Sequence, residues 1–481
     1  MEAKAKSHAK KTLSEGSLPV IVFSLFFSWL LSFSFDGQVL HAITSCYEVS
    51  AQPYAFGAMA SHFAGLATCS LYVTSIKKAK SLILASIAFC IAASCVFFSA
   101  PSFLWKAALL SASFLVGACV AAWGFYFKNC FSNEDRAGAI ASCLIFSNAL
   151  MVLINLAAMH LSAQAGLGSS IFALFAAFAF ALKLPKASQA PIDLEAAGPQ
   201  GEGRASLAGP LAFICLFIFA ATISSGLMYQ IVNPEFAHLK ILASWYWVVP
   251  YIGAMLIMRR RPGSSKRAYS LYISIAMTGF SFILFLLLGR GWQDYLVINT
   301  LMLGACGIHD LFWWSILGQM LEFGSNPAFV MGAGLGANVM GVLIGGIAGS
   351  EFAKSSSGTH NSTLLALSVV CAMQLMLPAL SSQLSKLLES QAYTAPGSKA
   401  GPKQKQQATA LGIAEQLTVS ENKVMLLLIQ GKPYKAIASE LSVSENTIRT
   451  HVKSIYAKAG VSSKAELSYL VLSQQQAAGQ K

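Results

Sequence analysis

Near the C-terminus, Thr447, Arg449, Thr450 and Lys453 are spaced so that a helix carries them on one arc. Ile448, Val452 and Ile455 would occupy the opposite arc. Arg and Lys can donate to guanine O6 and N7, and Thr can touch a thymine methyl. Lys435 and Lys458 flank this set and suit phosphate oxygens instead. The partner implied is double-stranded DNA.

A second group lies far upstream, inside the apolar stretch GACGIHDLFWWSILGQMLEF. Ionisable groups at the middle of a bilayer are costly and usually face a cavity or a partner. Asp310 is the candidate for sensing a ligand or a proton; a structural bond to a neighbouring helix is the other reading. His309 is adjacent, so it points about 100° away and cannot face the same spot. Trp313 and Trp314 follow one turn later and either line a cavity or pack. Asn338, His62, Asn148, Asn155 and Gln230 are intramembrane polar residues suited to interhelical hydrogen bonds or to a site. The sequence holds no GxxxxGK[ST] loop, no HExxH and no CxxC pair, and most of its histidines are scattered over loops and span ends. Neither an enzyme nor a metal or cofactor site is expected.

The elements that position both groups follow from composition. Of 481 residues, 55% are hydrophobic and 11% charged, against about 25% charged in soluble domains. The expected fold is all-α: a polytopic bundle of about twelve spans, then a four-helix DNA-binding domain. A span needs about 20 mostly apolar residues. Candidates are 18–36, 52–75, 81–100, 103–127, 137–159, 164–182, 207–231, 242–258, 269–289, 295–320, 327–349 and 362–382. The basic leader 1–17 carries no convincing cleavage site and reads as cytoplasmic. Segment 183–206, rich in Pro, Gly and Ala, divides the body six plus six.

With the N-terminus inside, inner loops hold Lys77, Lys78, Lys80, Lys128, Arg136, Lys183, Lys186, Arg204, Arg259, Arg260, Arg261, Lys266 and Arg267. Outer loops hold Lys106, Lys240, Arg290 and Lys354. This asymmetry places both termini in the cytoplasm of a multi-pass membrane protein. Glu48, Glu235 and Glu322 lie near span ends and read as solvated. The eleventh span contains seven glycines, so it is either closely packed or a moving element. Nine of the ten cysteines sit in or at the ends of apolar segments and read as packing residues.

Beyond a body of 18–382 comes a polar linker, 383–410, and then a module at 411–475. Thr418 and Glu421 form a T-x-x-E capping box. A helix carrying Val424, Leu427 and Leu428 ends at Gly431. Pro433 opens a short second helix with Ile437, Ala438 and Leu441. Ser444 caps a third helix from Glu445 to about Ala459, and a last one starts near Lys464. Short helices on either side of the turn SVS, with a polar outer face on the second, read as a helix-turn-helix.

The segments LTVSE (417–421), GKPYKAIA (431–438), SENTIRTH (444–451) and KAGV (458–461) resemble the LuxR-type (NarL/FixJ-like) helix-turn-helix. That resemblance implies DNA contacts at Lys435, Arg449, Thr450 and Lys453. It also implies dimerisation around Leu467 and Leu470. Ser420, Tyr434 and Ala436 depart from the family's Arg, Asn and Glu. The twelve-span layout resembles the major facilitator superfamily, but the loop SIKKAKS lacks that family's glycine-Asp-Arg motif. The combination implies a regulator in the bacterial inner membrane that senses a small molecule or membrane state and binds DNA as a homodimer. Expected partners are DNA, membrane lipid and an unidentified ligand. A secondary transporter with an added regulatory domain, and a transporter with an inert tail, are the other readings.

Overall fold

A computed structural model describes residues 17–185, 207–259, 264–354, 358–394, 417–429, 432–441, 443–459, 461, 464, 466 and 467. Among them every regular element is helical. They fall into two compact units, the first ending at Gln383 and the second beginning at Leu384.

The first unit is a multi-pass membrane bundle. Its helices are α1 (Ser17–Cys46), α2 (Gln52–Tyr72), α3 (Ile76–Phe98), α4 (Phe103–Cys130), α5 (Asn133–His160) and α6 (Ala163–Ala181). After the central loop come α7 (Ala208–Glu235), α8 (Lys240–Arg259), α9 (Ser264–Leu287), α10 (Trp292–Met320), α11 (Pro327–Ala353) and α12 (Gly358–Thr394), whose residues up to Gln383 belong to this unit. Eleven helices among the described residues are long and apolar enough to cross a membrane. The remaining one, α2, has 21 uncharged residues, but its Gln, His, Ser and Gly lower its mean hydropathy. It packs on α4 and α11, so those residues meet protein as well as lipid.

Two seams join the first six helices to the last six. On one, α11 touches α2 and α4; on the other, α5 touches α8 and α10. The glycines of α11 explain its tight pairing with α7. A Cβ on Gly345 would fall 2.2 Å from the Ile223 carbonyl oxygen, and one on Gly226 would fall 2.3 Å from that of Val342. Backbone therefore meets backbone, as small residues permit.

The first span differs from its expected extent. Instead of stopping at residue 36, α1 runs to Cys46 through a π turn at Leu30–Ser34 and a break at Phe35–Gly37. A second π turn, Met228–Val232, interrupts α7. Both interrupted helices open their set of six. Wide turns of this kind free backbone groups and are frequent at functional sites.

The second unit holds α13 (Val419–Ile429), α14 (Tyr434–Glu440) and α15 (Glu445–Ala459). The capping box forms: Thr418 N donates to Glu421 Oε2 at 2.8 Å, and Glu421 N donates to Thr418 Oγ1 at 3.3 Å. Pro433 occupies the N-cap of α14, and Ser444 Oγ accepts from Thr447 N at 3.1 Å to start α15. The core gathers Val424, Met425, Leu428, Ile437, Ala438, Ile448, Val452, Ile455 and Leu467. Met425 joins it although the sequence periodicity did not single it out. Of the expected last helix, Lys464, Glu466 and Leu467 are helical, and Leu470 lies outside the described residues.

Candidate functional site

The outer arc of α15 is open. Thr447, Arg449, Thr450, Lys453 and Lys458 are exposed, as is Lys435 on α14. Burial of Ile448, Val452 and Ile455 fixes the rotation of α15, so the polar arc must face outward. Arg449 is not a loose side chain. Its Nη2 donates to Glu445 Oε1 at 2.8 Å, and its guanidinium lies 5.6 Å from the Tyr434 ring centroid. Thr450 Oγ1 donates back to the Asn446 carbonyl at 3.1 Å.

Lys458 has another task besides any phosphate contact. Its Nζ donates to Glu421 Oε2 at 2.7 Å, and Ser454 Oγ donates to Glu421 Oε1 at 2.6 Å. Glu421 is thus both the capping residue of α13 and the anchor of α15. These donors, Lys458 foremost, hold its carboxyl down to about 2. Leu467 is fully buried, and its side chain is part of the module core.

In the membrane unit, Tyr251 of α8 donates to Asp310 Oδ2. The adjacent His309 points elsewhere, stacked on Trp313 at 5.9 Å. His309 Nε2 and Trp313 Nε1 are buried without a hydrogen-bond partner. Trp314 turns to α1, where it meets Phe23 and Phe27 at 5.9 and 6.1 Å. The two tryptophans therefore part: one stays beside His309, the other seals against the first helix. Asn338 is half-buried on α11, and no hydrogen bond joins it to Asp310.

A feature missed in the sequence lies at the α1 break. Asp36 adopts φ 54°, a left-handed conformation that Asp tolerates, and its Oδ1 pairs with His41 Nε2 at 2.8 Å. Tyr229 lies in the π turn of α7. It keeps 45% of its surface open. Asp36 and His41 belong to the first set of six helices, and Tyr229, Tyr251 and Asp310 to the second. Gln52 of α2 bonds Gln230 of α7 at 3.0 Å, a polar link between the sets.

The bundle end where α4 and α10 finish and α5 and α11 begin is clamped. Arg136, counted in the sequence as a loop charge, is only 2% exposed. Its guanidinium donates to the Phe127 carbonyl (2.9 Å), the Gly318 carbonyl (2.9 Å) and Glu322 Oε1 (2.5 Å). Glu322 is exposed, as its place near a span end suggests, and is in addition a partner of Arg136. Lys128 Nζ donates to the Gly324 carbonyl at 3.1 Å. Asn326 caps α11 and donates to the carbonyls of Ser70 and Val73 at 3.0 and 3.1 Å. The only sequence signal for this clamp was a basic and an acidic residue at the ends of distant spans.

Comparison with known proteins separates the two units. Residues 403–471 match the family described as bacterial regulatory proteins, luxR family. The spore germination protein GerE of Bacillus subtilis (strain 168) is 44% identical over 50 residues, covering 10% of this chain and 68% of that protein. An HTH-type transcriptional regulator of Aeromonas salmonicida is 36% identical over 90 residues, covering 19% of this chain. The match spans 46% of that regulator, so this chain covers less than half of its length. The membrane unit is similar in fold to transporters. The human organic anion transporter MFSD10 (TETRAN) aligns over 77% of this chain and 99% of its own, with a TM-score of 0.56 and 14% identity. A bacterial homologue of the iron transporter ferroportin, in an outward-facing state, aligns over 75% and 99%, with a TM-score of 0.58 and 15% identity. At such identities the likeness is one of fold.

Proposed function

The chain belongs, through its C-terminal module, to the luxR family of bacterial regulatory proteins, and from that premise we propose that it is a one-component transcriptional regulator embedded in the bacterial inner membrane. A LuxR-type helix-turn-helix is fused to a membrane domain with a major-facilitator-like fold. The observation that carries the reading is the exposed arc of Thr447, Arg449, Thr450 and Lys453 on a helix whose rotation the core fixes. Placement of the basic residues supports cytoplasmic termini, which puts this arc on the side of the DNA. A small molecule or a membrane state acts on the partly buried polar pair Asp310 and Tyr251. It shifts the bundle only by its differential affinity for two arrangements. Operator binding uses two chains on a palindromic site, because one module alone contacts few phosphates.

Chromatin immunoprecipitation of the wild-type chain and of the Arg449→Ala, Lys453→Ala double variant tests this. Loss of specific peaks with unchanged protein level is the expected result. Identical occupancy in both strains would refute it.

The alternative, a secondary transporter with an added regulatory domain, is favoured by the bundle fold and by an ionisable group inside it. Flux of candidate solutes into liposomes, abolished by Asp310→Ala, would establish that reading. Ligand-dependent operator occupancy without flux supports the sensor.

A further inference from the structure

We infer that Tyr434 is a positioning residue for DNA sequence readout: its ring holds the Arg449 guanidinium in the orientation that reads a base. The inference rests on the DNA-binding reading of α15. An arginine on an exposed helix face has about 2 kcal/mol of rotamer entropy to lose before it reads a base. Glu445, one turn before it, restrains Arg449 only partly. That pair is exposed on both sides, 61% and 44%, and such pairs contribute little.

Tyr434 differs in kind. It is the first residue of α14, set by Pro433 at the helix N-cap, and it is packed against the module core. Tyr456 of α15 packs against the same core. The ring is therefore held from behind by the core. Its remaining face lies 5.6 Å from the Arg449 guanidinium, within the range of a cation–π contact.

The guanidinium thus has a ring 5.6 Å from its carbon and a carboxylate at Nη2. Of its five N–H donors, only Nη2 is engaged by Glu445. The other edge remains able to donate in parallel to guanine O6 and N7. Tyr434 stands where the LuxR pattern has Asn, which offers no ring. The chain has replaced a polar side chain at the start of this helix by a platform under its own base-reading arginine.

The test uses the full-length chain in lipid nanodiscs and selection from a random double-stranded DNA library. Wild type, Arg449→Ala, Tyr434→Leu and Tyr434→Phe are compared base by base. Arg449→Ala should flatten the preference at one position per half-site. Tyr434→Leu should lower discrimination at that same position by about two- to fivefold, the size of an exposed cation–π contact. Its dependence on salt should stay unchanged, because no phosphate contact is lost. Tyr434→Phe keeps the ring and should retain wild-type discrimination.

Unchanged or sharper discrimination in Tyr434→Leu overturns the inference, as does a uniform loss at every position, which marks a merely structural role. If Arg449→Ala changes no position, the base-reading premise itself fails and takes the inference with it. Should Tyr434→Leu unfold the module, Tyr434→Asn removes the ring by a residue the family pattern accepts and gives the same decision.

Discussion

Replacing Glu322 by Gln should loosen the clamp that joins α5 to α10. Arg136 is 2% exposed and Glu322 39%. Breaking a fully buried ion pair costs about 3–5 kcal/mol, while an exposed pair contributes about 0–1 kcal/mol. Glu322 is open enough for water to replace part of what the guanidinium loses, and the Phe127 and Gly318 carbonyls still accept from it. The expected loss is therefore about 1–2 kcal/mol. An arrangement lacking this contact loses nothing by the substitution, so its population rises about tenfold. Cys130, half-buried at the end of α4 and next to the Phe131 carbonyl that also faces Arg136, reports the change. In nanodiscs, its modification by a membrane-impermeant maleimide should speed up about tenfold, with exposed Cys46 as the internal reference. Equal Cys130 rates in Glu322→Gln and wild type would refute the assignment of this pair as an inter-half clamp.

Gly345→Val should lower the thermal midpoint of the detergent-solubilised protein, since overpacking of this type costs about 1–3 kcal/mol and the Ile223 carbonyl cannot retreat without moving α7. Gly168→Ala, where a Cβ meets nothing within 4 Å, is the matched control and should leave the midpoint unchanged or raise it slightly. Glu421, held down to about 2 from its ordinary 4.5, stabilises the module fully above pH 4.5 and progressively less as pH falls towards 2. Amide exchange in α13 and α15 should therefore quicken through that window in the wild type, and Glu421→Gln should flatten the dependence. Lys435→Ala should weaken DNA binding evenly across sequences and reduce the slope of log affinity against log salt by about 0.9; a change confined to one base position would instead make Lys435 a base reader.

The terminal module was legible because its information is local. T-x-x-E, Pro433 and Ser444 fix helix starts within a few residues, and the spacing of Ile448, Val452 and Ile455 fixes which arc of α15 faces out. The membrane helices were legible for a similar reason, since an apolar run of span length has few other uses. Less visible was anything depending on a partner remote in sequence. Arg136 and Glu322 are 186 residues apart, and nothing in either neighbourhood distinguishes them from solvated loop charges. The Asp36–His41 pair is close in sequence, yet its meaning depends on a π turn and a left-handed residue that hydropathy does not register.

By itself, then, the sequence determined that a LuxR-type reader follows a bundle of apolar helices, and which side chains of the reader face outward. Periodicity, caps and hydropathy act within one or two helical turns, and they suffice for that much. Only the tertiary structure decided that Asp310 meets Tyr251, that Trp313 and Trp314 part company, and that Lys458 is tied to Glu421. It also placed a fixed aromatic ring beside Arg449. Each of these depends on how helices are rotated and set against one another, which is decided by packing across the chain.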